Sequence, residues 1–480
     1  MITDIPEFAI IGHPNEGKSS VVSTLAEDDT VPVSRIPGET TRSRVYPVTI
    51  DGREIIRFID TPGFQNPMKT LEWLRAYNGP GPTILNAFYE AHSAFPEFRD
   101  ECELFLPIMD RGGIIYVVDG SRPLRRVDKV EMEILRLTGR PRMAVINCKD
   151  DDFQYLEDWK NEFNRHFNMT RTFNAHKATY GERIALLESL KSIDQDWEEA
   201  LSFVVTSFKK DWEQRNALTA TAICELLKDS ACYTTSTSCS TKARIPEIKD
   251  RLLNKFQDHL TTAESRCHQK IKHLFKHNIF NYTLPDQSIL HEDLFDQSTW
   301  HVLGLNPKQL ATAAAVTGGS IGAAVDLAAA GLTFGIFTAI GSAIAAGYVL
   351  WDGERFAKTK VKGIGIGGYH VQVGPVDNAQ LLYILLDRAL LYYAHVINWA
   401  HALRETPQAL AKPEKETKIG FSSTWDKEQR GVCASYFSAL KQGKDIQGPE
   451  HAFQNMLEKE LVHLAHSELG KPFHTPCDHP

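Results

Sequence analysis

The chain has 480 residues, enough for two to four domains by length alone, and its 42% hydrophobic and 24% charged content is an ordinary globular balance. Its 61 acidic residues against 53 basic ones leave a formal net charge of −8, which argues against a non-specific, electrostatically driven nucleic-acid binder. The eight cysteines are scattered with no CxxC pair, which argues against a zinc ribbon and fits a reducing, cytoplasmic compartment.

Met1 to Ile5 run almost directly into the first apolar segment, so no signal peptide is expected. Phe8-Ala9-Ile10-Ile11 reads as a short buried strand, and Ser20 to Leu25 as the first turns of a helix. Between them lies Gly12-His13-Pro14-Asn15-Glu16-Gly17-Lys18-Ser19, the phosphate-loop pattern GxxxxGK[ST] in the strand–loop–helix context it requires. Gly17 lets the backbone turn tightly, so that successive N–H groups converge on phosphate oxygens. The helix beginning near Ser20 adds its positive end. Lys18 supplies a point charge to the β- and γ-phosphates, and the Ser19 hydroxyl is a ligand for Mg²⁺.

Pro37-Gly38-Glu39-Thr40-Thr41-Arg42 reads as a mobile loop. A threonine there can complete the Mg²⁺ shell while a γ-phosphate is present; Thr41 is the first candidate and Thr40 the second. Val45 to Ile50 and Glu54 to Ile59 read as strands joined by the hairpin dipeptide Asp51-Gly52. The second strand runs into Asp60-Thr61-Pro62-Gly63. Asp60 is placed to be the acidic residue on the Mg²⁺ side, and the Gly63 N–H to reach the γ-phosphate. Residues 64–111 are rich in aromatic side chains, with helices expected at Leu71 to Leu74 and Glu101 to Met109. They read as a folded insertion available to another part of the protein or to a partner.

Gly113 to Asp119 and Arg142 to Ile146 read as buried strands, with a charged helix over Val127 to Leu137 between them. Asn147-Cys148-Lys149-Asp150 follows the later strand. The Asp150 carboxylate can accept from both N1–H and the exocyclic amine of guanine, a donor pair that adenine lacks. After a last strand at Met169 to Phe173, a backbone N–H at Ala175 is the candidate contact to the base oxygen.

Taken in order, these four motifs resemble a small GTPase of the TrmE–Era–EngA–septin class, of the Era-like type, over about the first 180 residues. The resemblance implies a doubly wound α/β sheet, GTP or GDP as ligand and Mg²⁺ as cofactor. It also implies a K⁺ site, because Asn15 resembles the asparagine that helps hold K⁺ beside the phosphates in potassium-activated members. A cation there would act like an arginine finger. Phe64 stands where Ras-like proteins have their water-orienting glutamine, so another group must position the water. Cys148 stands where a lysine normally stacks on the base, with Lys149 one place later; guanine specificity through Asp150 is expected, with lower affinity. Trp212 to Arg215 and Ala222 to Asp229 are similar to a bacterial group in which such a GTPase carries a C-terminal region of unknown function.

From about Ile193 long helices are expected: Trp197 to Leu227, and Glu247 to Phe280, whose alternating charge reads as a solvated face. Ser230 to Thr241 between them reads as a loop. Leu310 to Trp351 is Ala/Gly-rich with Asp326 its only charge. Leu327 to Trp351 is long enough to span a bilayer. Gly318 with Gly322, and Gly331 with Gly335, have GxxxG spacing. Lys308 on one flank and Arg355, Lys358, Lys360 and Lys362 on the other suit a hairpin whose ends stay in the cytoplasm. A helical hairpin buried in a soluble domain is the alternative. Ile364 to Pro375 reads as a short β-hairpin, and Asn378 to Arg404 as an apolar helix packing on the Ala/Gly-rich hairpin. His474, Cys477 and His479 lie on a tail with no fixed frame for a metal.

The expectation is therefore a GTPase domain at 1–190 with its insertion at about 64–111, a helical region at 191–300, and a helical domain at 301–480 containing the hairpin 310–351. The expected activity is Mg²⁺-dependent GTP hydrolysis, with Lys18, Thr41 and Gly63 at the reacting phosphate and the nucleotide state passed to the C-terminal half, at the inner face of the membrane if 310–351 contacts lipid. A nucleotide-gated scaffold with negligible catalysis, and a ribosome- or tRNA-linked GTPase, are the alternatives. No specific nucleic-acid partner is expected, and the residues name no protein partner or oligomeric state.

Overall fold

The computed structural model describes residues 5–13, 15–26, 42–50, 52–109, 111–148, 154–175, 180–239, 241–275, 288–296, 299, 302–305, 309, 346–352, 360–361, 364–365, 369–376, 378–398, 420–443 and 446–466. They fall into two compact units, the first built largely of residues before Arg215 and the second largely of residues from Arg215 on.

The first unit begins with β1 (Glu7–Ile11) and α1 (Lys18–Ala26) on either side of the phosphate-loop sequence. β2 (Arg44–Ile50) and β3 (Arg53–Asp60) form the expected antiparallel hairpin. The insertion consists of α2 (Pro67–Ala76), α3 (Ile84–His92) and α4 (Arg99–Met109). Then come β4 (Gly113–Asp119), α5 (Arg126–Leu137), β5 (Arg142–Asn147), α6 (Leu156–Phe163), β6 (Met169–Phe173) and α7 (Tyr180–Leu190).

The six strands lie in the order β2-β3-β1-β4-β5-β6, and only β2 runs antiparallel to its neighbour. This is the doubly wound α/β sheet. β1, β4 and β5 are near-continuous apolar runs because helices cover both faces, and Phe8, Ile10, Ile115, Val117 and Val145 are fully buried. Strand order reverses at β1, so its carboxyl end opens onto a switch point, where ligands bind in such sheets. The insertion folds on an aromatic core. Phe88 is fully buried and meets Phe105 and Phe98 edge-on at 5.2 and 5.8 Å.

In the second unit, α8 (Glu198–Cys232) carries the chain past Arg215, followed by β7 (Thr235–Cys239) and α9 (Ile245–Leu274). Next come β8 (Ala346–Asp352), β9 (Lys360–Val361), β10 (Ile364–Gly365) and β11 (Tyr369–Val376). The helices α10 (Ala379–Asn398), α11 (Phe421–Thr424), α12 (Lys427–Gln442) and α13 (Gln447–His466) complete the mainly helical half.

Three expectations are corrected here. The stretch from Ser230 to Thr241 is not a loop, because α8 runs to Cys232 and β7 follows. The segment from Ile364 to Pro375 is not a self-contained hairpin. β9 and β10 pair over two residues each, while β11 is the middle strand of an antiparallel sheet ordered β7-β11-β8. Residues 346–351 are strand rather than the end of a spanning helix. Tyr348-Val349-Leu350-Trp351 combines aromatic and β-branched types that favour a pleated backbone, and β11 supplies the partner. The rest of the Ala/Gly-rich stretch, residues 310–345, lies outside the described residues, as does the tail with His474, Cys477 and His479. Among the described residues, no helix is long and apolar enough to cross a membrane.

Candidate functional site

The chain turns as soon as β1 ends. Gly12 has φ +155°, and a Cβ there would sit 2.2 Å from the Val117 carbonyl oxygen of β4, so only glycine lets the loop lie against that strand. Asn15 at φ +68° and Gly17 at φ +91° continue the turn into α1. Lys18, 8% exposed, curls back over the loop and donates from Nζ to the carbonyl oxygens of Gly12 at 3.0 Å and His13 at 3.2 Å. Burial pulls its ammonium below the usual lysine range, while Asp60, Glu131 and Glu16 oppose that shift. Ser19 Oγ donates to Asp60 Oδ2 at 2.8 Å. Thr61 Oγ1 donates to the Ile10 carbonyl oxygen at 2.8 Å, which fixes the end of β3 beside the end of β1. Lys18, Ser19 and Asp60 therefore meet at the switch point of the sheet. Ser20 is buried in the first turn of α1, and Gly63 is buried beyond β3.

A hydroxyl and a carboxylate 2.8 Å apart form a hard-oxygen donor set, and it fits Mg²⁺. Among the described residues no cluster of three or more His, Cys, Asp or Glu could hold a metal. Phe64, 3% exposed, is turned into the insertion's core and meets Phe105 edge-on at 6.1 Å. It offers no hydrogen bond to a water.

Beside the loop lies an ion-pair network that sequence reasoning missed. The Glu16 carboxylate accepts from Arg122 Nε at 2.6 Å and from the Asp119 N–H. The Arg122 guanidinium also pairs twice with Asp128, at 2.8 and 2.9 Å, and lies 4.9 Å over the Trp159 ring. Burial raises the Glu16 carboxyl, and Arg122 works against that shift. The side chain of Glu16 thus braces the loop from behind. His13 Nδ1 lies 3.3 Å from Oε1 of the fully buried Glu131, whose Oε2 accepts from the Tyr116 hydroxyl at 2.8 Å.

On the far side, Asn147 at the end of β5 is fully buried. Its Nδ2 donates to the Glu16 carbonyl oxygen at 3.2 Å, and its Oδ1 accepts the Ala175 N–H at 3.1 Å. The Ala175 carbonyl in turn accepts from Thr24 Oγ1 at 2.9 Å. Asn147 therefore ties the phosphate loop to the segment after β6. The Ala175 N–H, expected at the base oxygen, is here given to Asn147. Cys148 is buried, with its N–H on the Phe173 carbonyl oxygen at 3.3 Å. Pro14, Thr40, Thr41, Lys149 and Asp150 lie outside the described residues.

Residues 160–463 match the family model described as Domain of unknown function (DUF3482), and residues 7–148 match the one described as 50S ribosome-binding GTPase. GTPase Der of Agathobacter rectalis is 43% identical over 75 residues, which is 16% of this chain and 17% of the relative. GTPase Der of Chloroflexus aurantiacus is 29% identical over 153 residues, 32% of this chain and 30% of the relative. The chain thus spans less than a third of the length of these two relatives. A crystal structure of Era in complex with MgGDPNP and nucleotides of 16S ribosomal RNA aligns at TM-score 0.27 and 14% identity, over 56% of this chain and 89% of that one. A GTP-binding protein from Sulfolobus solfataricus in complex with GDP aligns at TM-score 0.24 and 19% identity, over 42% of this chain and 53% of that one.

Proposed function

Since the chain belongs to the family described as Domain of unknown function (DUF3482) and matches the 50S ribosome-binding GTPase model and GTPase Der ahead of that region, we propose that it binds GTP and hydrolyses it to GDP and phosphate. The observation that carries this reading is the convergence of Lys18, Ser19 and Asp60 on the switch point of the sheet. The Lys18 ammonium, now resting on the loop's own carbonyl oxygens, exchanges them for the β- and γ-phosphate oxygens. The N–H groups of residues 12, 13 and 15–20 surround the phosphates, and the Gly63 N–H meets the γ-phosphate. Ser19, Asp60 and Thr41 are the residues that would hold Mg²⁺. When bound, that ion spreads the charge of the transferring phosphoryl group. Asn147 braces the base-side loop, and Asp150 selects guanine. Asn15 is the proposed K⁺ ligand. The loop around Thr41 orders with the γ-phosphate and releases after hydrolysis, passing the nucleotide state to the helical half. Membrane contact through the part of 310–351 that precedes β8, and a cytoplasmic setting, complete the proposal. The Ala/Gly-rich sequence supports the first, and the seven described cysteines, all free thiols, support the second.

Phosphate release from GTP and from ATP, in K⁺ and in Na⁺, tests the reading. GTP turnover well above ATP turnover is expected, faster in K⁺. Equal use of both nucleotides refutes the guanine assignment, and indifference to the cation removes Asn15 as a K⁺ ligand. GTP binding retained by Lys18→Ala refutes the phosphate-loop reading. Tight GTP binding without turnover would make the protein a nucleotide-gated scaffold. Fractionation with and without residues 310–345 tests the membrane contact, and a native protein found only in the soluble fraction refutes it.

A further inference from the structure

The insertion between β3 and β4 holds the chain at two places, just after Gly63 and two residues after Thr41. Glu101 of α4 is fully buried, and its Oε1 accepts the backbone N–H groups of Gln65 at 2.7 Å and Asn66 at 2.5 Å. These residues follow Asp60-Thr61-Pro62-Gly63 after a single residue, Phe64. Asn66 is held a second time, through Nδ2 on the Glu97 carbonyl oxygen at 2.6 Å. Two residues beyond Glu101 in the same helix, the Glu103 carbonyl oxygen accepts from Ser43 Oγ at 2.9 Å. Ser43 stands two places after Thr41 and immediately before β2. α4 is in turn anchored in the core through Phe105 on Phe64 and Phe88.

Glu101 is a costly choice for this position. Its Oε2 is buried with no hydrogen-bond partner among the described residues, and burial pushes the carboxyl up despite the N–H groups on Oε1. An apolar residue would pack α4 without that cost. What the carboxylate adds is a short, charge-assisted grip on two successive backbone N–H groups.

We propose that Glu101 is a positioning residue that holds the loop after Gly63 ready for the γ-phosphate, and that α4 joins this loop to Ser43, at the start of β2, so that the two respond together. The inference rests on the GTP-site reading above. With the grip removed, the loop must be ordered at the moment GTP binds, whereas GDP makes no demand on it.

The test uses the full chain and compares the affinities of GDP and a non-hydrolysable GTP analogue. Glu101→Ala should weaken the analogue by about tenfold, the scale of one charge-assisted hydrogen bond, and leave GDP within about twofold. Glu101→Gln, which keeps an acceptor oxygen at the Oε1 position, should restore most of the loss, and Ser43→Ala should weaken the analogue in the same direction. Equal weakening for both nucleotides, or none, overturns the proposal. If Glu101→Ala does not fold, Ser43→Ala decides, and an unchanged preference between the nucleotides overturns the proposal. A wild type that binds neither nucleotide overturns the GTP-site reading and the proposal with it. A wild type that binds both, with variants that match it, overturns the proposal alone.

Discussion

Replacing Arg122 by methionine isolates the ion-pair network behind the phosphate loop. Methionine keeps a stem that can lie against Trp159 and removes every donor. The guanidinium gives one bond to Glu16 at 2.6 Å and two to Asp128 at 2.8 and 2.9 Å. Glu16 is 3% exposed and Asp128 0%, so both carboxylates would be left in a largely dry site. Removing one partner of a buried ion pair costs about 3–5 kcal/mol. Arg125 stays within 3.2 Å of Asp128 and 3.5 Å of Glu16, so the low end applies, about 3 kcal/mol. At about 2–4 °C per kcal/mol for a unit of this size, the first unit should melt about 6–12 °C lower by calorimetry. GDP affinity should fall as well, because Glu16 adjoins Gly17 in the loop that cradles the phosphates. Arg122→Lys should recover little, since an ammonium cannot pair bidentately with Asp128 while also reaching Glu16. A melting shift below about 1 °C with unchanged GDP affinity would mean the network behaves as a solvated surface pair, and the reasoning would fail.

Further predictions concern charge, backbone and the second unit. Burial pulls the Asp128 carboxyl up, but the donors of Arg122 and Arg125 outweigh it and hold the group below the ordinary 3.8. A depressed carboxyl contributes stability that is present above the unfolded value and lost as pH falls through the folded one. Asp128→Asn should thus destabilise most at neutral pH, with the gap to wild type closing below about pH 4; a gap that stays constant on acidification excludes a charge-linked contribution. Gly12→Ala puts a Cβ 2.2 Å from the Val117 carbonyl oxygen at φ +155°, and should cost on the order of 3 kcal/mol and abolish nucleotide binding, so wild-type melting and GDP titration would contradict it. In the second unit, Asp387 accepts from the N–H of Gly304 at 2.7 Å, and from the N–H and hydroxyl of Ser422 at 2.8 and 2.9 Å. Asp387→Ala orphans buried backbone donors and should cost about 3 kcal/mol in urea unfolding, with Asp387→Asn losing less; an unmoved midpoint for both would show that these bonds do not hold the unit.

The placement of Lys18, Ser19 and Asp60 side by side was legible because these residues stand at strand ends, where local physics fixes the backbone. The groups that brace them were not. Glu16 and Arg122 are 106 residues apart, and His13 and Glu131 are 118 apart. A faint signal did exist. Asp128 and Glu131 are spaced three apart on α5 and share the buried side with Ile134 and Leu135, so charged residues stand where a helix facing a core should carry apolar ones. Glu101, beside Cys102, Leu104 and Phe105 on α4, has the same signature. A carboxylate on the apolar stripe of a helix next to a phosphate loop is therefore worth reading as a brace before it is dismissed as noise.

The second unit was read less well because its order comes from distant pairing. β7, Thr235-Ser236-Thr237-Ser238-Cys239, has the composition of a loop and becomes a strand only because β11, from Tyr369, pairs with it along its length. α10 was legible as an apolar helix, yet hydropathy alone would let such a helix rotate freely against its neighbours. Asp387 and Arg388 remove that freedom. Arg388 is 4% exposed, pairs with Glu264 at 2.5 and 3.2 Å, and donates to the carbonyl oxygens of Glu292 at 3.0 Å and Leu290 at 3.3 Å. Each charge is saturated in this one orientation. A rotation by a single residue would bury both without partners, at several kcal/mol for each. The apolar residues of α10 thus drive its burial, and two charged residues in its middle decide how it is buried.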